Sequence, residues 1–304
     1  MSNRKVGFGT RVAYLMLTGG CRAVGLLPAW FLYNPLAWSL YFLLYRVFRY
    51  RIKVVRSNLE GSFPEKTKAE LRDIERKFYR HLAELFIDTM DLSGISEKQM
   101  RRRIEFRDVA EHEREVAGTD WIAALAHYGS WEYFSAYQLH TSSQVAGVYK
   151  ALHSKAMGAY YNKMRSRFGL LPVDRKNLLR YIISAMHDPQ RNFAAGLISD
   201  QYARDEGRHL WFDFLNRKTL FFSGIEKLAV KFGLPVYYMD VAKEGKARYS
   251  ARFIKIYDGA EKLPEGEIVR RYAGELEKTI RRDPPYWLWS HKRWKYRREE
   301  STTE

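Results

Sequence analysis

Trp121-Ile122-Ala123-Ala124-Leu125-Ala126-His127-Tyr128-Gly129-Ser130-Trp131-Glu132 is the stretch on which the fold turns. Its first six residues carry no charge. A short apolar run closed by a turn reads as a strand that delivers a histidine at its end. Gly129 allows the tight turn, Ser130 can cap a following helix, and Glu132 falls in that helix's first turn. In open α/β sheets, ligands sit outside the carboxyl ends of the strands, which is where His127 lies. A carboxylate from Glu132 against the imidazole would fix its tautomer and stabilise the imidazolium, making His127 a general base. The same pair also reads as a structural hydrogen bond.

Working outward, strand-like and helix-like runs alternate. Candidate strands are 121–126, 144–149, 192–199, 236–241 and 251–257, and candidate helices are 131–140, 154–168, 176–186 and 224–232. Before them, Ser57 to Glu65 is a turn-rich junction in which Ser62 and Glu65 have capping-box spacing. The helix it would start shows Leu71, Ile74, Phe78, Leu82 and Leu85 on one face. Ser223 and Glu226 can cap the start of the 224–232 helix, and Gly233 then Pro235 end it. A last amphipathic helix bearing Ile268, Tyr272, Leu276 and Ile280 stops at Asp283-Pro284-Pro285. The pattern predicts an α/β fold with a largely parallel central sheet flanked by helices.

The N-terminus differs. From Ala23 to Tyr45 there are 23 residues without a charge, and about 20 suffice to cross the hydrocarbon core as a helix. Pro28, Asn34 and Pro35 interrupt the run, so a kinked or shallowly inserted helix fits as well as a straight span. Trp30, Tyr33, Trp38, Tyr41 and Tyr45 suit a lipid–water interface. Arg46, Arg49, Arg51, Lys53 and Arg56 follow as a basic collar facing anionic lipid. A buried core helix is the alternative. The expected division is a membrane anchor at 1–56 and a folded domain at 57–304.

The chain has 304 residues, 46% of them hydrophobic, which excludes a disordered protein. Its 52 Lys and Arg against 35 Asp and Glu leave +17, a charge that draws polyanions. The excess concentrates at both ends, at Arg4, Lys5, Arg11 and Arg22 with the collar, and again at 281–298. Because that charge flanks an apolar segment and no recognition motif is visible, no nucleic-acid partner is expected. The single Cys21 excludes an intramolecular disulfide framework and any multi-cysteine zinc site. Glu111-His112-Glu113-Arg114-Glu115 lacks the second histidine of a metalloprotease helix. His81, His112, His140, His153, His187 and His209 read as ordinary core or surface residues, and no metal site is expected.

The spacing of His127 and Glu132 after a hydrophobic strand resembles the His-x-x-x-x-(Asp/Glu) signature of the glycerolipid acyltransferases. In its surroundings the chain resembles the late acyltransferases of lipid A biosynthesis, the lauroyl and myristoyl transferases. Asn58-Leu59-Glu60 with Phe63-Pro64 is similar to that family's Asn-Leu-x-x-x-Phe-Pro element. Gly147-Val148-Tyr149, the helix with Arg165 and Arg167, and Asp174-Arg175-Lys176 follow in similar order. Asp200-Gln201-Tyr202 resembles the Asp-x-Asp-Tyr segment, although Ala203-Arg204-Asp205 stands where the family has Gly-Pro. Gly224, Leu228-Ala229 and Gly233-Leu234-Pro235 resemble its Gly…Leu-Ala…Gly-x-Pro stretch. Trp289-Ser290-His291-Lys292-Arg293-Trp294-Lys295 resembles its C-terminal Trp-x-His-Arg-Arg-Phe-Lys.

The resemblance implies transfer of an acyl group from a thioester, usually acyl-acyl carrier protein, to a lipid hydroxyl, without a cofactor. It implies His127 as base and Glu132 as the group that orients it; backbone N–H groups or an arginine could meet the oxyanion, Arg167 ahead of Arg165. Arg165, Asp200 and Gly224 are the expected substrate-binding residues. Arg165 and Arg167 also read as a solvated helix face, Asp200 as a loop cap, and Gly224 as a close-packing position. The expected partners are acyl-acyl carrier protein, a lipid acceptor and an anionic membrane, with the catalytic domain on the cytoplasmic side of the inner membrane. The alternatives are a phospholipid, aminolipid or glycolipid acyltransferase that uses acyl-CoA or acyl-carrier protein, and a noncatalytic anionic-lipid-binding protein.

Overall fold

A computed structural model of the chain describes residues 8–201 and 210–295. Tyr202 to Asp205, His209, Arg4, Lys5, Arg297 and Arg298 lie outside the described residues. The strands are β1 (Ile104–Phe106), β2 (Trp121–Leu125), β3 (Gln144–Tyr149), β4 (Leu171–Asp174), β5 (Phe193–Ile198), β6 (Leu210–Phe214), β7 (Arg217–Phe221), β8 (Val236–Gly245) and β9 (Arg248–Tyr257). Seven of them form one sheet in the order β1-β9-β8-β2-β5-β3-β4. Every pairing in it is parallel except the β8–β9 hairpin. The expected α/β class and largely parallel sheet are therefore present. All five residues of β2 are buried, because the strand lies mid-sheet between β5 and β8 with helices outside.

The β6–β7 hairpin stands apart from the main sheet. Its two-residue turn places Leu215 and Asn216 at φ 50° and 60°, a turn whose usual sequence signal is Asn-Gly. Leu215 is wholly buried, and Asn216 Nδ2 donates to the Ser62 carbonyl at 3.0 Å. Tertiary contacts thus hold a leucine in the left-handed region, which hides the hairpin from a reading of the sequence.

Several local expectations are corrected. The 57–65 junction is mostly helix (Ile52–Ser62), and the long helix after it spans Lys68–Asp91 with a capping box of Thr67 and Glu70, not Ser62 and Glu65. Neither the Ser223 nor the Glu226 side chain caps the 224–232 helix; Glu226 is used elsewhere. It accepts from the backbone N–H groups of Gly266, at 2.5 Å, and Ile268, at 3.0 Å, and so caps the helix Glu267–Arg282. Gly233, at φ 64°, ends the 224–232 helix as expected. Residues Trp131–Leu139 wind as a 3-10 helix. Five consecutive residues there, Tyr133 to Tyr137, are buried, so packing on several sides replaces the one-faced pattern that favours an α-helix.

At the N-terminus, Phe8–Gly25 is one helix and Ala29–Val47 a second, broken by π-type turns at Leu32–Leu36 and Leu43–Val47. Pro35 lies inside the first π turn, where its missing N–H and ring demand a wider winding. Among the described residues no single helix is long and apolar enough to cross a membrane; the two together pass by length and composition but are bent by 103°. Tyr33, Ala37 and Tyr41 are buried, while Trp30 and Trp38 are 66% and 59% exposed.

Candidate active site

β2 and β5 are parallel neighbours, and Leu125 pairs with Ile198 at their carboxyl ends. His127 and Asp200 each lie two residues past that pair, so the register brings them together. Asp200 Oδ2 accepts the backbone N–H of His127 at 2.8 Å, and Oδ1 meets His127 Nδ1 at 2.7 Å. Trp287 Nε1 donates to the same carboxylate at 2.8 Å. Burial alone would raise the Asp200 carboxyl, but facing His127 and accepting these hydrogen bonds hold it below the usual carboxylate value. A carboxylate only accepts, so Nδ1 carries a proton, and in the neutral imidazole Nε2 is the nitrogen with the free lone pair. The Gln201 amide lies 3.2 Å from Nε2.

The backbone beyond the strand is equally fixed. The Leu288 N–H donates to the His127 carbonyl at 3.1 Å, and the Gly129 N–H to the Tyr286 carbonyl at 3.0 Å. Residues 286–288 thereby lie along the 127–129 turn as a short added strand, with Tyr128 bridged to Trp287. Gly129 has φ 58°, and a Cβ there would lie 2.9 Å from the Val241 side chain, so the turn has both the conformation and the tight space of glycine.

Glu132 takes a different partner from the one expected. Both of its oxygens accept from Arg165, at 2.7 Å from Nε and 2.6 Å from Nη2. The Arg165 guanidinium also lies over the rings of Tyr161 and Tyr149. Starting the 3-10 helix at Trp131 points Glu132 toward the helix Lys155–Arg165, while the Trp131 ring meets the His127 imidazole edge-on at 5.0 Å. The Nδ1 edge of His127 belongs to Asp200. Burial would lower the Arg165 guanidinium, but the facing Glu132 raises it overall.

Arg167, expected to meet an oxyanion, donates to the carbonyls of Ser93, at 2.8 Å, and Ile95. It ties the loop after helix Lys68–Asp91. Gly224 begins the 224–232 helix, where a Cβ would run into the Phe222 ring; its geometry is that of a close-packing position. Trp287 and Gln201 were not singled out by the sequence. Trp287 is two residues beyond Pro285, where no local pattern marks an indole bound for a carboxylate.

Two further basic residues, His291 and Arg293, stand near this centre. Burial lowers His291 to about 4, with Asp200 opposing and His127 adding to the shift. Arg293 is buried over the Phe221 ring at 4.6 Å. Among the described residues no group of three or more His, Cys, Asp or Glu side chains is placed to hold a metal.

A buried carboxylate that orients an imidazole whose outer nitrogen keeps its lone pair is equipped to take a proton from a hydroxyl. The family model described as bacterial lipid A biosynthesis acyltransferase matches residues 9–296. A search of curated proteins gave no match.

Proposed function

Because the chain belongs to the bacterial lipid A biosynthesis acyltransferases, we propose that it moves a fatty acyl group from acyl-acyl carrier protein to a hydroxyl of a lipid A precursor. The observation that carries the mechanism is the His127–Asp200 pair at the carboxyl edge of β2 and β5. His127 Nε2 removes the proton of the acceptor hydroxyl as its oxygen attacks the thioester carbonyl. Asp200 keeps Nδ1 protonated and stabilises the imidazolium. When the tetrahedral intermediate collapses, the C–S bond breaks and the imidazolium proton passes to the departing thiol. Arg165, oriented by Glu132, supplies the positive charge for the developing oxyanion. Glu132 acts through Arg165 in this reading, and Arg167 serves the loop it ties.

The bent N-terminal helices lie in the cytoplasmic leaflet of the inner membrane with Trp30 and Trp38 at the interface. Support comes from the exposed indoles and from Arg46, Arg49, Arg51 and Lys53 of the collar, Arg56 being paired with the buried Glu75 at 2.9 Å.

The test is transfer of labelled acyl groups by wild type and His127→Ala, with acyl-acyl carrier protein and acyl-CoA as donors and a lipid A precursor and a lysophospholipid as acceptors. Histidine-dependent labelling of the lipid A precursor from the carrier protein is expected. Labelling of the lysophospholipid alone would move the assignment to a phospholipid acyltransferase. Binding of anionic lipid with no transfer to either acceptor would favour a noncatalytic role.

A further inference from the structure

Asp88, in helix Lys68–Asp91, is 1% exposed, and three tyrosine hydroxyls from separate parts of the chain donate to it. Tyr33 reaches Oδ1 at 2.7 Å, Tyr133 the same oxygen at 3.0 Å, and Tyr249 reaches Oδ2 at 3.2 Å. A buried carboxylate persists only where its lone pairs are met. The nearby guanidinium of Arg103 is given to Asp91 instead, at 2.6 Å, and covers the Tyr33 ring at 4.8 Å. The hydroxyls therefore do the solvating.

Two of the three donors abut the segment that carries the chemistry. Tyr133 is peptide-bonded to Glu132. The Tyr249 ring lies under the turn after His127, 3.3 Å from where a Cβ on Gly129 would stand. The rings of Tyr133 and Tyr249 meet edge to face at 5.7 Å. The third donor, Tyr33, comes from the N-terminal helices, in the π turn that widens around Pro35. Such insertions are frequent at functional positions.

We propose that Tyr33 is a positioning residue for acyl transfer: through Asp88 it completes the floor beneath residues 127–133, so the N-terminal helices hold part of the catalytic geometry as well as meeting the lipid. The inference rests on the reading of His127 as the base. Tyr33→Phe keeps the ring under Arg103 and removes only the hydroxyl. Tyr41, buried in the same helical segment and with no hydrogen bond to its hydroxyl among the described residues, supplies the control.

The experiment measures amide hydrogen exchange and steady-state kinetics on the full chain as wild type, Tyr33→Phe and Tyr41→Phe. In Tyr33→Phe, amides of residues 127–135 are expected to exchange about fivefold faster. kcat should fall by a similar factor with KM for both substrates unchanged, while Tyr41→Phe matches wild type. Unchanged exchange at 127–135 overturns the proposal. So does faster exchange with an unchanged kcat, or an equal loosening in Tyr41→Phe. A wild type that transfers no acyl group refutes the reading beneath the proposal. The exchange data separately decide whether Tyr33 and the 127–135 segment are coupled.

Discussion

Asp200 grips His127 at two points, its backbone N–H at 2.8 Å and its Nδ1 at 2.7 Å. The imidazole is thus fixed in position and in tautomer by one side chain, which Trp287 braces from behind. A hydrogen bond to a charged group is worth ~1.5–3 kcal/mol. Trp287→Phe removes that donor and keeps an aromatic ring in the site, although the smaller ring leaves part of the indole's space empty. Its acyl-transfer kcat is expected to fall by about tenfold or more, with KM little changed. A kcat equal to wild type would show that Asp200 needs no brace.

The Glu132–Arg165 pair makes a different prediction, because its first consequence is for stability. Side-chain exposure is 11% for Glu132 and 22% for Arg165, so breaking the pair strands a charge out of water. Glu132→Gln is expected to lower unfolding free energy by about 3–5 kcal/mol, read from denaturant unfolding. The double variant Glu132→Gln with Arg165→Met should recover much of that loss. A double variant no more stable than the single one would show that the pair is not the source.

Acid should destabilise the protein through the buried His81 and His112 and the half-buried His291. Burial holds His112 and His291 at about 4, and His81 well below its ordinary value. The unfolded chain takes up these protons near pH 6.5, whereas the folded chain does not until about pH 4 for the first two. The stability they contribute is whole above about pH 6.5 and drains as the pH falls toward 4. Asp200, held below its usual value by its partners, adds a loss at the acid end of that range. The denaturation midpoint should therefore drop steadily from neutral pH downward; a flat midpoint would contradict the assignment of these histidines as neutral in the folded chain.

Membrane attachment is tested by co-sedimentation with vesicles. Trp30→Glu combined with Trp38→Glu places charge on two exposed indoles and should abolish most binding to anionic vesicles. Raising salt to about 1 M, where screening extends only about 3 Å, should weaken the part owed to the collar. Binding indifferent to both changes would detach the N-terminal helices from that role.

Much of this was legible in the residues. The uncharged run ending at His127 located β2, and alternation of apolar runs gave the parallel sheet. The fold hid short strands such as β1 and β4, which lack a pattern of their own, and the β6–β7 turn at Leu215, which tertiary packing holds against local preference. At the site, spacing along the chain pointed from His127 to Glu132. The partner came instead from across the sheet: the pairing of Leu125 with Ile198 delivers Asp200, and strand register between distant segments is not written in either segment alone. Trp287 reached the site by the same route, on a stretch laid along the 127–129 turn.

The most direct test is kcat for acyl transfer by Asp200→Asn beside wild type, both shown to be folded by thermal unfolding. Asparagine keeps the shape but leaves Nδ1 without a carboxylate. If Asp200 sets the tautomer and charge of the base, kcat falls by roughly 10³–10⁴. A rate within about twofold of wild type would contradict the pairing of His127 with Asp200 as the catalytic unit.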